Sequence, residues 1–298
     1  MRSFRPGLLI LVYLIVSPFV SAQEPTTAAS APLPVQAEPQ TPQVAAILQQ
    51  SLAALTGGAP VTDVTMTGTI TVTDASGTQS GTITMVATAS GQGQSTATLP
   101  SGTHTEIRSV SAGSASLTVI GADGIPHTIT TQSAVSPNPA WFCPALLLAS
   151  ASSPGYSSSY FGQGTLNGAA VQHLAMWWLP GSSSGSSPAS ATQFGQQVTQ
   201  HDIYLDASSL LPVSMSFLMH PYDPEEPNKP FIPYRGSNFD RTEQVQFSDY
   251  RLVQGRPVAL HIHVTLQISG TATITTDIQI SSVTFNTGAT VTVPTATN

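Results

Sequence analysis

The chain is poor in charge, holds one cysteine and has a single lysine, Lys229. Only 8% of its 298 residues are Asp, Glu, Lys or Arg, where an ordinary soluble domain carries roughly 25%. Eight basic residues stand against 15 acidic ones, giving a formal charge of −7. No basic surface is therefore available for a phosphate backbone, and nucleic-acid binding by counterion release is excluded. One cysteine excludes an internal disulfide framework and any cysteine-cluster zinc site. Cys143 lies amid Trp141, Phe142 and Leu146 and reads as a buried, inert thiol. H-E-x-x-H and EF-hand signatures are missing, and Gly162-Gln163-Gly164 lacks the following helix that a phosphate loop needs. Apolar residues are not scarce. At 40% they rule out disorder over most of the length and can fill a core.

The first 22 residues read as a secretory signal. Arg2 and Arg5 supply the positive start, Leu8 to Val20 the apolar stretch, and Val20-Ser21-Ala22 the small-residue cleavage site before Gln23. The apolar run is shorter than the ~20 residues that span a bilayer, so the expectation is cleavage and a periplasmic or extracellular protein. No later stretch is long and apolar enough for an integral span. Surface wetting then falls to Ser, Thr, Gln and Gly.

Residues 23–41 are rich in Pro, Ala and Thr without periodicity, which describes a flexible tether. Thr41 and Pro42 suit an N-cap and first helical position. Val44, Ile47, Leu48, Leu52 and Leu55 keep the i, i+3, i+4 spacing of one helix face, and Gly57-Gly58 stops it. The pattern predicts an amphipathic helix over 42–56.

From Val61 the period becomes 2. Val64 to Val72 alternates apolar residues or Gly with Thr, the mark of an antiparallel strand with one wet face. Asp74-Ala75-Ser76-Gly77 makes the turn, and Ile83, Met85 and Ala87 begin the return. Similar runs recur at 95–99, 103–110, 115–121 and 125–131, then at 163–179, 200–206, 212–219, 243–252, 257–268 and 271–285. Residues 138–152 (NPAWFCPALLLASAS) are too continuously apolar for alternation and predict a short buried helix. Val171 to Leu179 is apolar on both faces, so that strand is covered on both sides or faces a ligand. The expectation is one mainly β domain over 42–298: a curved antiparallel sheet or incomplete β-barrel, with one or two helices on its concave face.

Candidate chemistry is thin. Gly181-Ser182-Ser183-Ser184-Gly185 matches G-x-S-x-G, yet it sits in a Ser/Gly spacer without the strand-to-helix turn that makes a serine nucleophilic. His261 and His263 share the polar side of a strand with Thr265 and Gln267. They read as an exposed pair unless a third ligand such as His201 or His220 converges to make a metal site. Asp202, Asp206, Asp249 and Asp277 can be paired on paper as glycosidase carboxylates, but Asp206 before Ala-Ser-Ser-Leu-Leu-Pro suits a turn cap. No catalytic residue, cofactor or metal is assigned.

Apolar side chains remain. Leu48, Met66, Ile70, Trp141, Phe142, Leu146, Trp177, Trp178, Phe217 and Met219 are more large groups than a polar-faced meander needs. They either fill an ordinary core or line a cavity for an acyl chain or similar ligand. A second candidate is the long Pro-rich loop from His220 to Asp240 with the charges that follow it. There Asp223, Glu225, Glu226, Arg235 and Arg251 are placed to meet a polar partner.

The order of parts resembles the LolA-like superfamily of periplasmic lipoprotein carriers, whose fold is an incomplete antiparallel barrel wrapped around helices. The matching pieces are the exported N-terminal helix, the hairpins at 61–88, and Tyr160-Phe161-Gly162 through Leu166-Asn167-Gly168 into the strand at 171–179. They continue through Ile203-Tyr204-Leu205-Asp206 with Leu211-Pro212-Val213. Val245 to Arg251 with Gly255 and Pro257, and the last strand to Phe285-Asn286, complete them. These resemble a group of exported bacterial proteins sharing the LolA-like pattern more than LolA itself. The resemblance implies non-catalytic binding of a lipid or lipoprotein acyl chain in the periplasm. The alternative is an envelope interaction or structural protein acting through the charged 220–251 region, and a hydrolase ranks third.

Overall fold

The computed structural model describes residues 42–111, 114–129, 140–151, 156–178, 199–219, 241–268 and 273–292. The expected signal segment, the tether, the G-x-S-x-G spacer and the loop with Asp223, Glu225, Glu226 and Arg235 lie outside these residues. The elements are α1 (Pro42–Thr56), β1 (Asp63–Asp74), β2 (Gly77–Thr88), β3 (Gln92–Leu99), β4 (Gly102–Ser111), β5 (Ser114–Ile120) and β6 (Pro126–Ile129). They continue with α2 (Pro144–Ser150), β7 (Tyr156–Leu166), β8 (Ala169–Trp178), β9 (His201–Asp206), β10 (Pro212–Met219), β11 (Arg241–Val253), β12 (Arg256–Ile268) and β13 (Ile274–Phe285).

All thirteen strands belong to one open antiparallel sheet in the order β6-β5-β4-β3-β2-β1-β13-β12-β11-β10-β9-β8-β7. The chain starts at the centre, steps outward to β6, crosses by way of α2 to the far edge, and steps back until β13 pairs with β1. One meander makes each half, and the β1–β13 ladder is the seam between them. The run expected as one strand over 163–179 is instead the β7–β8 hairpin. Asn167 (φ 51°) and Gly168 (φ 82°) form its two-residue turn, the Asn-Gly pair whose positive φ values match the twist of the flanking strands.

The seam shows how sequence sets register. In β13, Ile278 and Ile280 are buried, then Val283 and Phe285, so the inward parity switches between them. Thr67 pairs with Ser282 but Gly68 with Ile280, which leaves Ser281 as the extra residue of a β-bulge. The double serine of Ile280-Ser281-Ser282-Val283 is its sequence trace. Gly68 stands at this point because a Cβ there would lie 2.1 Å from the Gln279 carbonyl oxygen.

One large apolar cluster lies between the sheet and the helices. α1 buries Val44, Leu48, Ser51 and Leu55 and leaves its opposite side wet. It touches α2, β7 and β12, and Ser51 Oγ donates to the Leu210 carbonyl at 2.7 Å. Its end is a left-handed Gly57 (φ 62°), whose N–H reaches the Ala53 carbonyl at 2.9 Å. The outer face is wetted as the composition requires, by cross-strand hydroxyl pairs such as Thr71–Ser80 (3.0 Å) and Thr73–Thr78 (3.0 Å).

Candidate functional site

β4 departs from the apolar-in, polar-out pattern. Its inward positions are His104, Glu106 and Arg108, all nearly inaccessible to solvent. Glu106 accepts from Nε and Nη2 of Arg108, a close buried pair made by two residues of the same strand. Gly93 lies opposite Arg108 in the neighbouring strand, leaving room beside the guanidinium. Across the interior, β11 presents Glu243 inward in step with Val245 and Phe247, all buried.

Arg108 and Glu243 are electrostatically coupled, although five strands separate β4 from β11 in the sheet. Laid flat, those six interstrand steps would cover about 29 Å. The sheet is therefore strongly curled, and the two halves face one another over its concave side.

A cavity occupies that side. It is lined by Ile70, Ile83, Ala97, Val119, Val264, Leu266, Ile274, Ile278 and Trp141, with His104, Glu106, Arg108 and Glu243 in its wall. The enclosed room is about 80 Å³, and the hollow opens to solvent. The enclosed part is small, which favours a slender occupant over a bundle of chains. Its lining strands are β1–β5 and β11–β13, and no helical residue contributes.

The apolar candidates divide accordingly. Ile70 and Trp141 line the cavity. Leu48, Met66, Phe142, Leu146 and Phe217 do not line it, although they belong to the same apolar cluster as Ile70. Trp177 is fully buried on β8, as are Leu174, Ala175 and Met176, so that strand is covered on both sides. The side chains of Trp178 and Met219 lie outside the described residues. Arg251 is exposed and donates from Nε to Asp249 Oδ1 at 2.9 Å.

Charges in the cavity wall are finely poised. Loss of water pushes the Glu243 carboxyl up to about 7; Glu106 adds to this and Arg108 opposes it. Burial pulls the Arg108 guanidinium down, but Glu106 and Glu243 outweigh it and hold its pKa raised. Burial lowers His104. It also takes His201, inward on β9, down to about 4, against the Thr199 carbonyl that accepts from its Nδ1 at 2.9 Å. Arg108 Nη1 and His104 Nε2 are buried without a hydrogen-bond partner. Among the described residues Glu243 has neither a hydrogen bond nor an ion pair within 4 Å.

The enzyme-like candidates are dispersed. Asp206 caps its own turn, taking the N–H groups of Ser208 (3.1 Å) and Ser209 (2.7 Å) and both hydroxyls. These bonds, led by the Ser209 N–H, hold it down at about 2. Asp202 binds His173 Nε2 at 2.9 Å, and that imidazole is sandwiched between Phe161 and Tyr204. On the outer face Asp277 Oδ1 meets His261 Nε2 at 3.2 Å and His263 Nδ1 at 2.8 Å. Among the described residues no three His, Cys, Asp or Glu side chains are arranged to hold a metal ion. Burial raises the Cys143 thiol to about 11, which keeps it protonated.

Sequence reasoning missed Glu106, Arg108 and Glu243 as a group. The trace was there: His104-x-Glu106-x-Arg108 is a period-2 run of ionisable residues in a chain with few of them. Glu243 shares parity with Val245 and Phe247. What the sequence did not carry was the curl that brings β4 and β11 face to face.

No protein-family model and no curated relative matches the chain. Solved structures do. A DUF1329 family protein from Desulfovibrio piger is 12% identical, with a TM-score of 0.50 over 84% of this chain and 96% of that one. A LolA superfamily protein from Nitrosomonas europaea is 9% identical, with a TM-score of 0.48 over 81% of this chain and 93% of that one. LolA-superfamily structures thus stand among the neighbours, at identities that speak for fold alone.

Proposed function

We propose that this protein is a non-catalytic carrier that takes a single-chain apolar or amphipathic ligand into the cavity of its curled sheet. Its place of action is the periplasm or another compartment outside the cytoplasm. The observation that carries this reading is a hollow walled by Ile70, Ile83, Ala97, Leu266, Ile274 and Ile278, with the polar side chains His104, Arg108 and Glu243 at its wall. Apolar wall without a filling side chain forfeits dispersion contacts, and an acyl chain restores them. Trp141 is partly exposed among the lining residues and stacks edge-to-face on Phe142 at 5.6 Å. It can cover a chain once inserted. A carrier needs no nucleophile, and the dispersed carboxylates and protonated thiol fit that role.

The test is lipid extraction and mass spectrometry of the gently purified chain, together with titration by the neutral dye N-phenyl-1-naphthylamine. The reading expects one bound lipid species per chain and a saturable rise in dye fluorescence that is lost on unfolding. A folded protein that holds neither contradicts it.

A further inference from the structure

The cavity's polar wall says which head the ligand carries; this step rests on the carrier reading above. We propose that the cavity selects a single-chain amphiphile with an uncharged, hydroxyl- or ester-bearing head, held against Arg108, His104 and Glu243, and rejects the corresponding fatty-acid anion.

Three unsatisfied groups make the site. Arg108 Nη1 is a buried donor without an acceptor, and His104 Nε2 is buried without any partner. Glu243 lines the same cavity with no described hydrogen-bond or ion-pair partner. A buried polar group without a partner costs about 1–3 kcal/mol, so a ligand that satisfies all three is favoured at that end of an otherwise apolar chamber.

Charge decides among heads. Arg108 is already neutralised by Glu106, and Glu243 brings the wall to between zero and one negative charge. A carboxylate entering there would reach Arg108 only by sharing it with Glu106, against the field of two buried carboxyls. An ammonium head would answer Glu243 but would meet the Arg108 cation and leave its Nη1 unpaired. A glycerol or alcohol head offers ester and hydroxyl oxygens to Arg108 and His104, and a hydroxyl proton to Glu243. Hydrogen bonding is thereby completed with no charge added. The small inner room of about 80 Å³ favours one tail over several.

The groups facing Glu243 are Arg108, Glu106 and His104 of β4 and His201 of β9; His261, His263 and Asp277 lie on the outer face. Protonation of Glu243 removes the negative charge that repels an anion, so discrimination weakens towards acid.

The experiment is displacement of N-phenyl-1-naphthylamine from the full chain by 1-monolauroylglycerol and by dodecanoate, below their aggregation concentrations, at pH 8.5 and pH 6. The monoacylglycerol is expected to displace dye about tenfold more strongly at pH 8.5. At pH 6 the ratio shrinks by at least about threefold, although dodecanoate is still mainly ionised. Glu243→Gln is expected to shrink the ratio at pH 8.5 by tightening dodecanoate, each ligand's displacement being referred to the variant's own dye affinity. Dodecanoate equal to or tighter than the monoacylglycerol at pH 8.5, or a ratio indifferent to pH, overturns the head selection and leaves the carrier reading standing. No dye binding at all overturns both. If Glu243→Gln does not fold, the pH comparison on the wild-type chain decides alone.

Discussion

Arg108 of β4 and Glu243 of β11 face each other across the interior, brought together from opposite sides of the β1–β13 seam. That relationship makes the polar wall a single electrostatic unit. Removing its one cation strands two buried carboxyls. Arg108→Leu is expected to cost about 3–5 kcal/mol in urea unfolding at pH 8, and less at pH 5, where Glu243 takes up a proton. A loss below about 1 kcal/mol at pH 8 would mean that the wall is wet.

Two buried groups pull stability in opposite directions over nearly the same pH window. Glu243 rises from 4.5 to about 7 on folding, so its contribution is full below 4.5 and is lost as pH rises towards 7. His201 falls from 6.5 to about 4, so its contribution is full above 6.5 and is lost as pH falls towards 4. Each is worth on the order of 3 kcal/mol. The wild-type profile between pH 4.5 and 6.5 is expected to be flat, with His104 adding to the His201 trend. Glu243→Gln should then gain stability as pH rises, and His201→Gln should lose it. Parallel slopes in the two variants would refute the assignment.

The seam has its own clamp. Asp63 accepts the N–H groups of Thr287 (2.9 Å), Gly288 (3.1 Å) and Ala289 (3.2 Å), together with the Thr287 hydroxyl (3.1 Å). Burial opposes its charge, but these bonds and the Thr62 hydroxyl win and hold the carboxyl below its usual range. Asp63→Ala is expected to cost about 2 kcal/mol. It should speed amide exchange at 287–289 while leaving the β3–β4 ladder protected. Unchanged exchange at those three amides would show that the clamp is idle.

By contrast, Asp277→Asn is expected to cost under about 1 kcal/mol. Its bonds to His261 and His263 lie on the outer face, where its side chain is 48% exposed. A loss of several kcal/mol would contradict this placement.

Much of the fold was legible because both periodicities are strong. The 3.6-residue pattern of Val44, Leu48 and Leu55 placed α1, and the alternation from Val64 placed the first hairpin. Failure came where two strands of like composition meet: Asn167-Gly168 divides what reads as one run over 163–179. The site was less legible. Ile70 and Trp141 are recognisable as large apolar groups, but whether a side chain fills a core or lines a hollow depends on curvature. Curvature arises from twist and bulges, among them the one at Ser281, and no single residue announces it. Glu243 looked like part of the charged stretch that starts at Asp223, because linear proximity hid its inward parity.

Isoleucine methyl NMR of the full chain, titrated with 1-monolauroylglycerol, tests the account most directly. The δ1-methyl groups of Ile70, Ile83, Ile274 and Ile278 line the hollow, whereas Ile203 and Ile262 are fully buried without lining it. The account predicts saturable shifts confined to the first set. Shifts spread evenly over both sets, or none up to the ligand's solubility limit, would contradict it.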